Sequence, residues 1–183
     1  MATAGVPDLV IANAGISEGT RGDDPADIDV LERALATNVV GLAATLSAFA
    51  GPMRAAGRGT LAGVASVAGF RGMPGSGAYC ASKAAAIAWM ESLRVEMRGS
   101  GVRVCTVCPG YIATPMTAVN RYRMPFLISA DDAAARIARA LERGRSLVVV
   151  PWQMRLAMLF IRPAPNALFD AIFARAPRKP RAP

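Results

Sequence analysis

A chain of 183 residues is long enough for one domain with a buried core, and 53% hydrophobic against 19% charged residues excludes a disordered chain. The net charge of +8 comes mostly from arginines scattered along the sequence, with no recognised nucleic-acid-binding motif, so a solvated basic surface and no nucleic-acid partner are expected. There is no histidine, so acid–base chemistry near neutral pH must fall to other side chains.

In chain order, residues 8 to 12 (DLVIA) read as a short apolar strand ending in Asn13-Ala14-Gly15. Residues 16 to 24 are polar and glycine-rich, hence loop. Asp24-Pro25 or Asp27 can cap a helix that runs on to Met53 and contains Asn38. Its uncharged run from Ala34 to Met53 meets a membrane-spanning length, but Thr37, Asn38, Gly41 and Pro52 favour a helix buried between a sheet and a partner. The start MATAGVPD lacks the charged end and long apolar core of a secretory leader, and a cytoplasmic location is expected.

Thr60 to Ser66 is the next strand, and the glycine-rich loop from Gly69 to Gly77 follows, with Met73 and Pro74 as candidate pocket residues. From Ala78 a helix is expected over AYCASKAAAIAWMESLRVEM. Val102 to Val107 is a third strand, broken by Pro109-Gly110. Residues 115 to 129, whose bulky members are Tyr122, Met124 and Phe126, correspond to the substrate lid implied by the resemblance described below. A helix capped near Ser129 and stopped at Gly144 leads to a last strand, Leu147 to Val150. Cys105 and Cys108 form a C-x-x-C within a strand, where positions three apart face opposite sides, so no metal site is expected. They read, with Cys80, as core thiols.

Residues 1–150 thus form one α/β unit and residues 151–183 a helical extension. Two short apolar helices, broken at Pro163 and Pro165, place Leu168, Phe169, Ile172 and Phe173 on one face, and Arg175, Arg178, Lys179 and Arg181 crowd the end. Residues 152–181 can cap a pocket, pack on a second subunit, or lie peripherally on an anionic membrane; packing is preferred.

Ser66 stands at a strand end, and Tyr79 and Lys83 share one face of the following helix. A phenol has a pKa of about 10, and a nearby ammonium favours its ionised form. Lowering it by roughly 2–3 units takes about 3–4 kcal/mol, within reach of one close cation in a dry site. Hydroxyl, phenol and ammonium together make an acid–base device that needs no histidine.

This Ser…Tyr-x-x-x-Lys arrangement, with Asn13-Ala14-Gly15, Asn38, Pro109-Gly110 and Thr114 in order, resembles the short-chain dehydrogenase/reductase family over residues 6 to about 150. The resemblance implies an α/β fold, the C-terminal part of a Rossmann-like doubly wound parallel sheet of about four strands flanked by helices, followed here by the apolar C-terminal helices. It implies hydride transfer between NAD or NADP and a small alcohol or carbonyl substrate. In that scheme Tyr79 is the general acid/base, while Lys83 lowers its pKa and binds the nicotinamide ribose. Ser66 orients the substrate oxygen and Asn38 holds a relay water. Asn13, Ala14 and Gly15 lie against the adenosine side of the cofactor; Pro109, Gly110, Ile112 and Thr114 serve its nicotinamide carboxamide. A homo-oligomer built on the helices carrying Asn38 and Tyr79 is expected. The family's glycine-rich TGxxxGxG turn and its ribose-reading residue are absent, so the chain reads as the C-terminal part of a longer pattern, with DLVIA as an open sheet edge. The competing expectation is an inactive remnant serving as a packing or membrane-surface module.

Overall fold

The computed structural model of the chain describes residues 5–181. Its strands are β1 (Leu9–Ala12), β2 (Gly59–Val64), β3 (Val102–Pro109), β4 (Ile112–Ala113), β5 (Ile128–Ser129) and β6 (Leu147–Val150). The order β1-β2-β3-β6 makes a parallel sheet, and β4 pairs with β5 in a separate parallel ribbon. Parallel neighbours need long crossovers, and here these are helical. Between β1 and β2 run α1 (Ile28–Leu35) and α2 (Leu42–Ala56); α3 (Gly77–Glu96) joins β2 to β3. The short α4 (Pro115–Ala118) and α5 (Ala130–Glu142) precede β6, and α6 (Trp152–Ile161) and α7 (Asn166–Phe173) follow it.

Both faces of the sheet are covered, which is why β2 and β3 read as nearly unbroken apolar runs. One core joins Leu42, Leu46 and Met53 of α2 to Met90 and Leu93 of α3 over Leu61 and Val104. The other packs Ala133 and Leu141 of α5 on Ala62, Val107 and Val148. Cys105 belongs to the second core and Cys108 to the first, on opposite sheet faces as their spacing requires. Pro25–Ala56 is long and apolar enough to cross a membrane, yet Leu42, Leu46, Ala50 and Met53 face the core. β1 is the sheet's outer strand among the described residues, with Leu9 and Ile11 exposed.

Several details depart from the sequence reading. β2 ends at Val64 rather than Ser66, because Ser66 caps a single 3₁₀ turn, Val67–Gly69, with Oγ accepting from the Ala68 N–H at 3.2 Å. β3 continues through Pro109, since a proline tolerates the strand end where Gly110 N–H reaches the Val150 carbonyl at 2.7 Å. The helix expected to run unbroken from residue 25 opens into a π turn at Ala36–Gly41, centred on Asn38. Phe169 and Phe173 stack inward, centroids 4.5 Å apart, while Leu168 and Ile172 are exposed. Positions one residue apart lie about 100° apart on a helix, so the four do not share a face.

Leu46 is wholly buried between α2 and the sheet. Leu46→Ala is expected to lower the unfolding free energy by about 3 kcal/mol, read from the urea midpoint. A loss under about 1 kcal/mol contradicts this packing.

Candidate active site

The C-terminal ends of β1, β2 and β3 open on one edge of the sheet, the edge at which open α/β sheets take ligands. Ser66 stands just past β2, and the first turns of α3 bring Tyr79 and Lys83 beside it. The Ser66 Oγ donates to the Pro109 carbonyl at 3.3 Å, so this hydroxyl also fixes the turn after β3. Lys83 is 3% exposed and its Nζ donates to the Val64 carbonyl at 2.8 Å, 5.8 Å from the centre of the Tyr79 ring. The serine, phenol and ammonium therefore converge.

Asn38 has no exposed surface, and its amide is engaged on both ends. Oδ1 accepts from the Ile16 N–H at 2.8 Å, and Nδ2 donates to the Ile16 carbonyl at 3.0 Å and to Ser82 Oγ at 2.9 Å. Ser82 donates in turn to the Tyr79 carbonyl at 2.8 Å. Both amide N–H groups are thus spent on protein partners. The side chain serves as a clamp between the loop after β1 and α3. Ser82 was missed in the sequence; a buried hydroxyl beside the lysine, in an alanine-rich helix, was the available signal.

Gly15 sits against this cluster. A Cβ there would come 3.2 Å from Asn38 Oδ1 and 3.3 Å from Lys83 Nζ, so the bare glycine keeps the lysine's approach clear. Asn13 and Ala14 are exposed, and the Asn13 side chain makes no hydrogen bond among the described residues. Gly110 lines the cavity beside Tyr79, whereas Ile112 packs into the α5 core. Thr114 is turned onto its own backbone: its N–H donates to Thr117 Oγ1 at 3.1 Å, and its Oγ1 contacts the Ile112 carbonyl at 3.5 Å.

Burial dominates the titration of the pair. It pushes the Tyr79 phenol above its ordinary value of 10, with the Ser66 hydroxyl pulling the other way. It lowers the Lys83 ammonium from 10.5 to about 8. The direction expected for Tyr79 was downward. It fails here because the Lys83 ammonium is directed to the Val64 carbonyl, leaving desolvation as the larger effect.

A cavity of about 400 Å³ lies over Ser66 and Tyr79. Its walls are mainly apolar and include Met73 and Pro74, Tyr122 and Phe126 of the lid, and Met158 of α6. Met124 is not among them; it receives a contact from Asn120 Nδ2 at 3.5 Å instead. Cys80, expected as a plain core thiol, is buried yet borders the cavity. Arg71 fastens the wall: its guanidinium donates to the Ile161 and Arg162 carbonyls at 3.0 and 3.1 Å and to Asn166 Oδ1 at 2.9 Å, and lies 4.1 Å over Phe169. Residues 174–181 then close the mouth. Ala176, Pro177 and Lys179 border the cavity, and Lys179 Nζ donates to Ser17 Oγ at 2.6 Å. Nothing in the local sequence of residues 174–181 specifies that docking.

A nicotinamide ribose fits the residues present. Lys83 spends one N–H on Val64, and its remaining donors adjoin the uncovered Gly15. For the pyrophosphate, no glycine-rich turn opening a helix after a strand occurs among the described residues.

A doubly wound parallel sheet with Ser66, Tyr79 and Lys83 at its C-terminal edge defines an oxidoreductase of the Rossmann type. Residues 2–124 match the short chain dehydrogenase family model, and the chain belongs to that family. It is 44% identical over 174 residues to an uncharacterized oxidoreductase of Myxococcus xanthus, covering 95% of this chain and 68% of that protein. It is 33% identical over 155 residues to the 2-(R)-hydroxypropyl-CoM dehydrogenase of Xanthobacter autotrophicus, covering 84% of this chain and 60% of that one. A short chain dehydrogenase of Burkholderia cenocepacia, solved in complex with NADP, superposes with a TM-score of 0.78 at 27% identity, over 92% of this chain and 69% of that one. The α/β architecture expected from sequence is therefore the observed one.

The Lys83 shift makes stability depend on pH. Since the folded value of about 8 lies below the unfolded 10.5, the unfolded chain binds more protons between them. The cost of burying the ammonium is full below pH 8 and fades as pH rises toward 10.5. Relative to Lys83→Met, the natural chain should gain stability across that window, at up to about 1.4 kcal/mol per pH unit. A flat difference in urea unfolding between pH 7.5 and 10 contradicts the assignment.

Proposed function

We propose that this chain carries the substrate and proton-transfer residues of an NAD- or NADP-dependent oxidoreductase that interconverts an alcohol and a carbonyl compound. The observation that carries the reading is the convergence of Ser66, Tyr79 and Lys83 beneath the apolar cavity. The NADP-bound relative of Burkholderia cenocepacia supports a nicotinamide cofactor.

When bound, the nicotinamide supplies or accepts the hydride. The protein's own residues do the rest. Ser66 Oγ, standing beside the phenol, turns its one O–H from the long 3.3 Å contact with the Pro109 carbonyl to the substrate oxygen and holds it there. In the reductive direction Tyr79 gives its proton to that oxygen as the carbonyl becomes an alcohol; in the oxidative direction the phenolate takes it back. Lys83, held by the Val64 carbonyl and with a value near 8, can exchange protons close to neutral pH. Asn38 positions the tyrosine through Ser82, and the apolar walls take the substituents of the reacting carbon. The buried cysteine thiols fit a cytoplasmic, reducing compartment.

Tyr79→Phe should cut turnover by roughly 10²–10⁴-fold, followed by nicotinamide absorbance with a panel of alcohols and ketones, without altering the unfolding midpoint. Retained turnover overturns the reading.

A second reading concerns location, and the outer surface of the C-terminal helices favours it. On α6, Trp152, Leu156, Leu159 and Phe160 form an exposed stripe, with Phe160 77% exposed, and Leu168 and Ile172 extend it on α7. Arg155, Arg162 and Arg175 are exposed on or just past these helices and make no ion pair among the described residues. A two-fold interface would bring these arginines against themselves, whereas an anionic bilayer would neutralise them. Assembly as a homo-oligomer is left to the face of α2 and α3, where Phe49 and Val95 are exposed. Vesicles of phosphatidylglycerol should sediment the chain and phosphatidylcholine vesicles should not. Leu159→Glu with Phe160→Glu should weaken that binding about ten-fold or more. Equal binding by the double variant removes the membrane reading.

A further inference from the structure

The C-terminal tail crosses the mouth of the cavity and is anchored along its length. The Gly19 N–H donates to the Pro180 carbonyl at 3.1 Å, and a Cβ on Gly19 would sit 2.3 Å from the Lys179 carbonyl, so only glycine admits the tail there. Arg181 pairs with Asp24 and with the buried Asp27, both at 2.8 Å. These anchors hold Lys179 inward, its Nζ 6.0 Å from the centre of the Tyr79 ring.

The tail treats its two anchoring cations differently. Arg181 is matched by two carboxylates; Lys179 is given only the neutral hydroxyl of Ser17 and makes no ion pair among the described residues. Glu18 lies close enough to favour its charge, but that carboxylate is engaged by Arg33 at 3.1 Å. Among the described residues the cavity wall contains no aspartate or glutamate. Of its other cations, Arg71 is spent on the end of α6 and Arg123 is exposed on the lid. A half-buried ammonium beside the phenol, held in place while its nearest carboxylate is engaged by Arg33, costs desolvation that an anionic ligand would offset.

We propose that Lys179 is a substrate-recognising residue, and that the substrates are alcohols or ketones with an apolar body and a carboxylate that docks on its ammonium. This rests on the reading that the cavity beside Tyr79 takes the substrate. The apolar walls hold the body, and the ammonium orients the molecule from the tail side. The nicotinamide side of the site, at Gly15 and Lys83, is served by a different cation.

The test uses binding rather than turnover. By calorimetry, the full chain should bind octanoate about ten-fold or more tightly than 1-octanol, the scale expected for one charge-assisted hydrogen bond in a partly buried site. Lys179→Met should lose that preference while binding 1-octanol as before, and Lys179→Arg should keep most of it. Equal binding of the two probes by the natural chain overturns the proposal, as does a preference that survives in Lys179→Met. Loss of inorganic pyrophosphate or NADH binding in Lys179→Met, with octanoate unaffected, also overturns it and assigns the ammonium to the cofactor. A Lys179-dependent preference in a chain without turnover would count against the oxidoreductase reading alone. Tyr79-dependent turnover with no such preference would count against this one alone.

Discussion

The buried amide of Asn38 is the joint on which the site depends. It grips both backbone groups of Ile16 and the hydroxyl of Ser82, so the loop after β1, the π turn and the catalytic helix meet at one side chain. A regular helix keeps its polar backbone groups to itself; the π turn at Ala36–Gly41 is a local departure of the kind found at functional sites. Shortening this amide would strand several buried polar groups together, a cost well above that of one lost hydrogen bond.

Around that joint the protein accepts two unfavourable burials. Desolvation favours the neutral phenol in Tyr79 and brings the Lys83 ammonium down to about 8. Only the lysine is thereby moved toward neutral pH; the phenol is moved away from it and keeps its proton more firmly. The proton sits on the phenol in the resting site, and the lysine is close to giving its own away. A donor that holds its proton until a substrate oxygen demands it suits the reductive direction.

Much of this was legible in the chain because it is local. A strand, a glycine-rich loop and a helix with Tyr79 and Lys83 four residues apart are set by periodicity and punctuation. The parallel order of β1, β2, β3 and β6 follows from the alternation of strands with helices. What was not legible depends on distant partners. Lys179 and Ser17 are 162 residues apart, and nothing near either one announces the other. Phe169 lies beneath Arg71 and Phe173 stacks on it, a choice that the apolar pattern of α7 leaves open. The downward shift expected for Tyr79 assumed an ammonium pointed at the phenol, and a backbone carbonyl at Val64 had the better claim.

Arg71 belongs to the loop that leaves the Ser66 turn, yet it grips the last carbonyls of α6 and the ring of Phe169. One guanidinium thus rivets the catalytic edge to the far wall of the cavity. Side chains on α6 such as Ala157 and Met158, which face the cavity from beyond the rivet, can be exchanged to admit larger or smaller substrates. The spacing of Ser66, Tyr79 and Lys83 would be untouched by such exchanges. The cavity wall is in this sense a joint product of the fold, with the last thirty or so residues supplying one side and residues 66–126 the other.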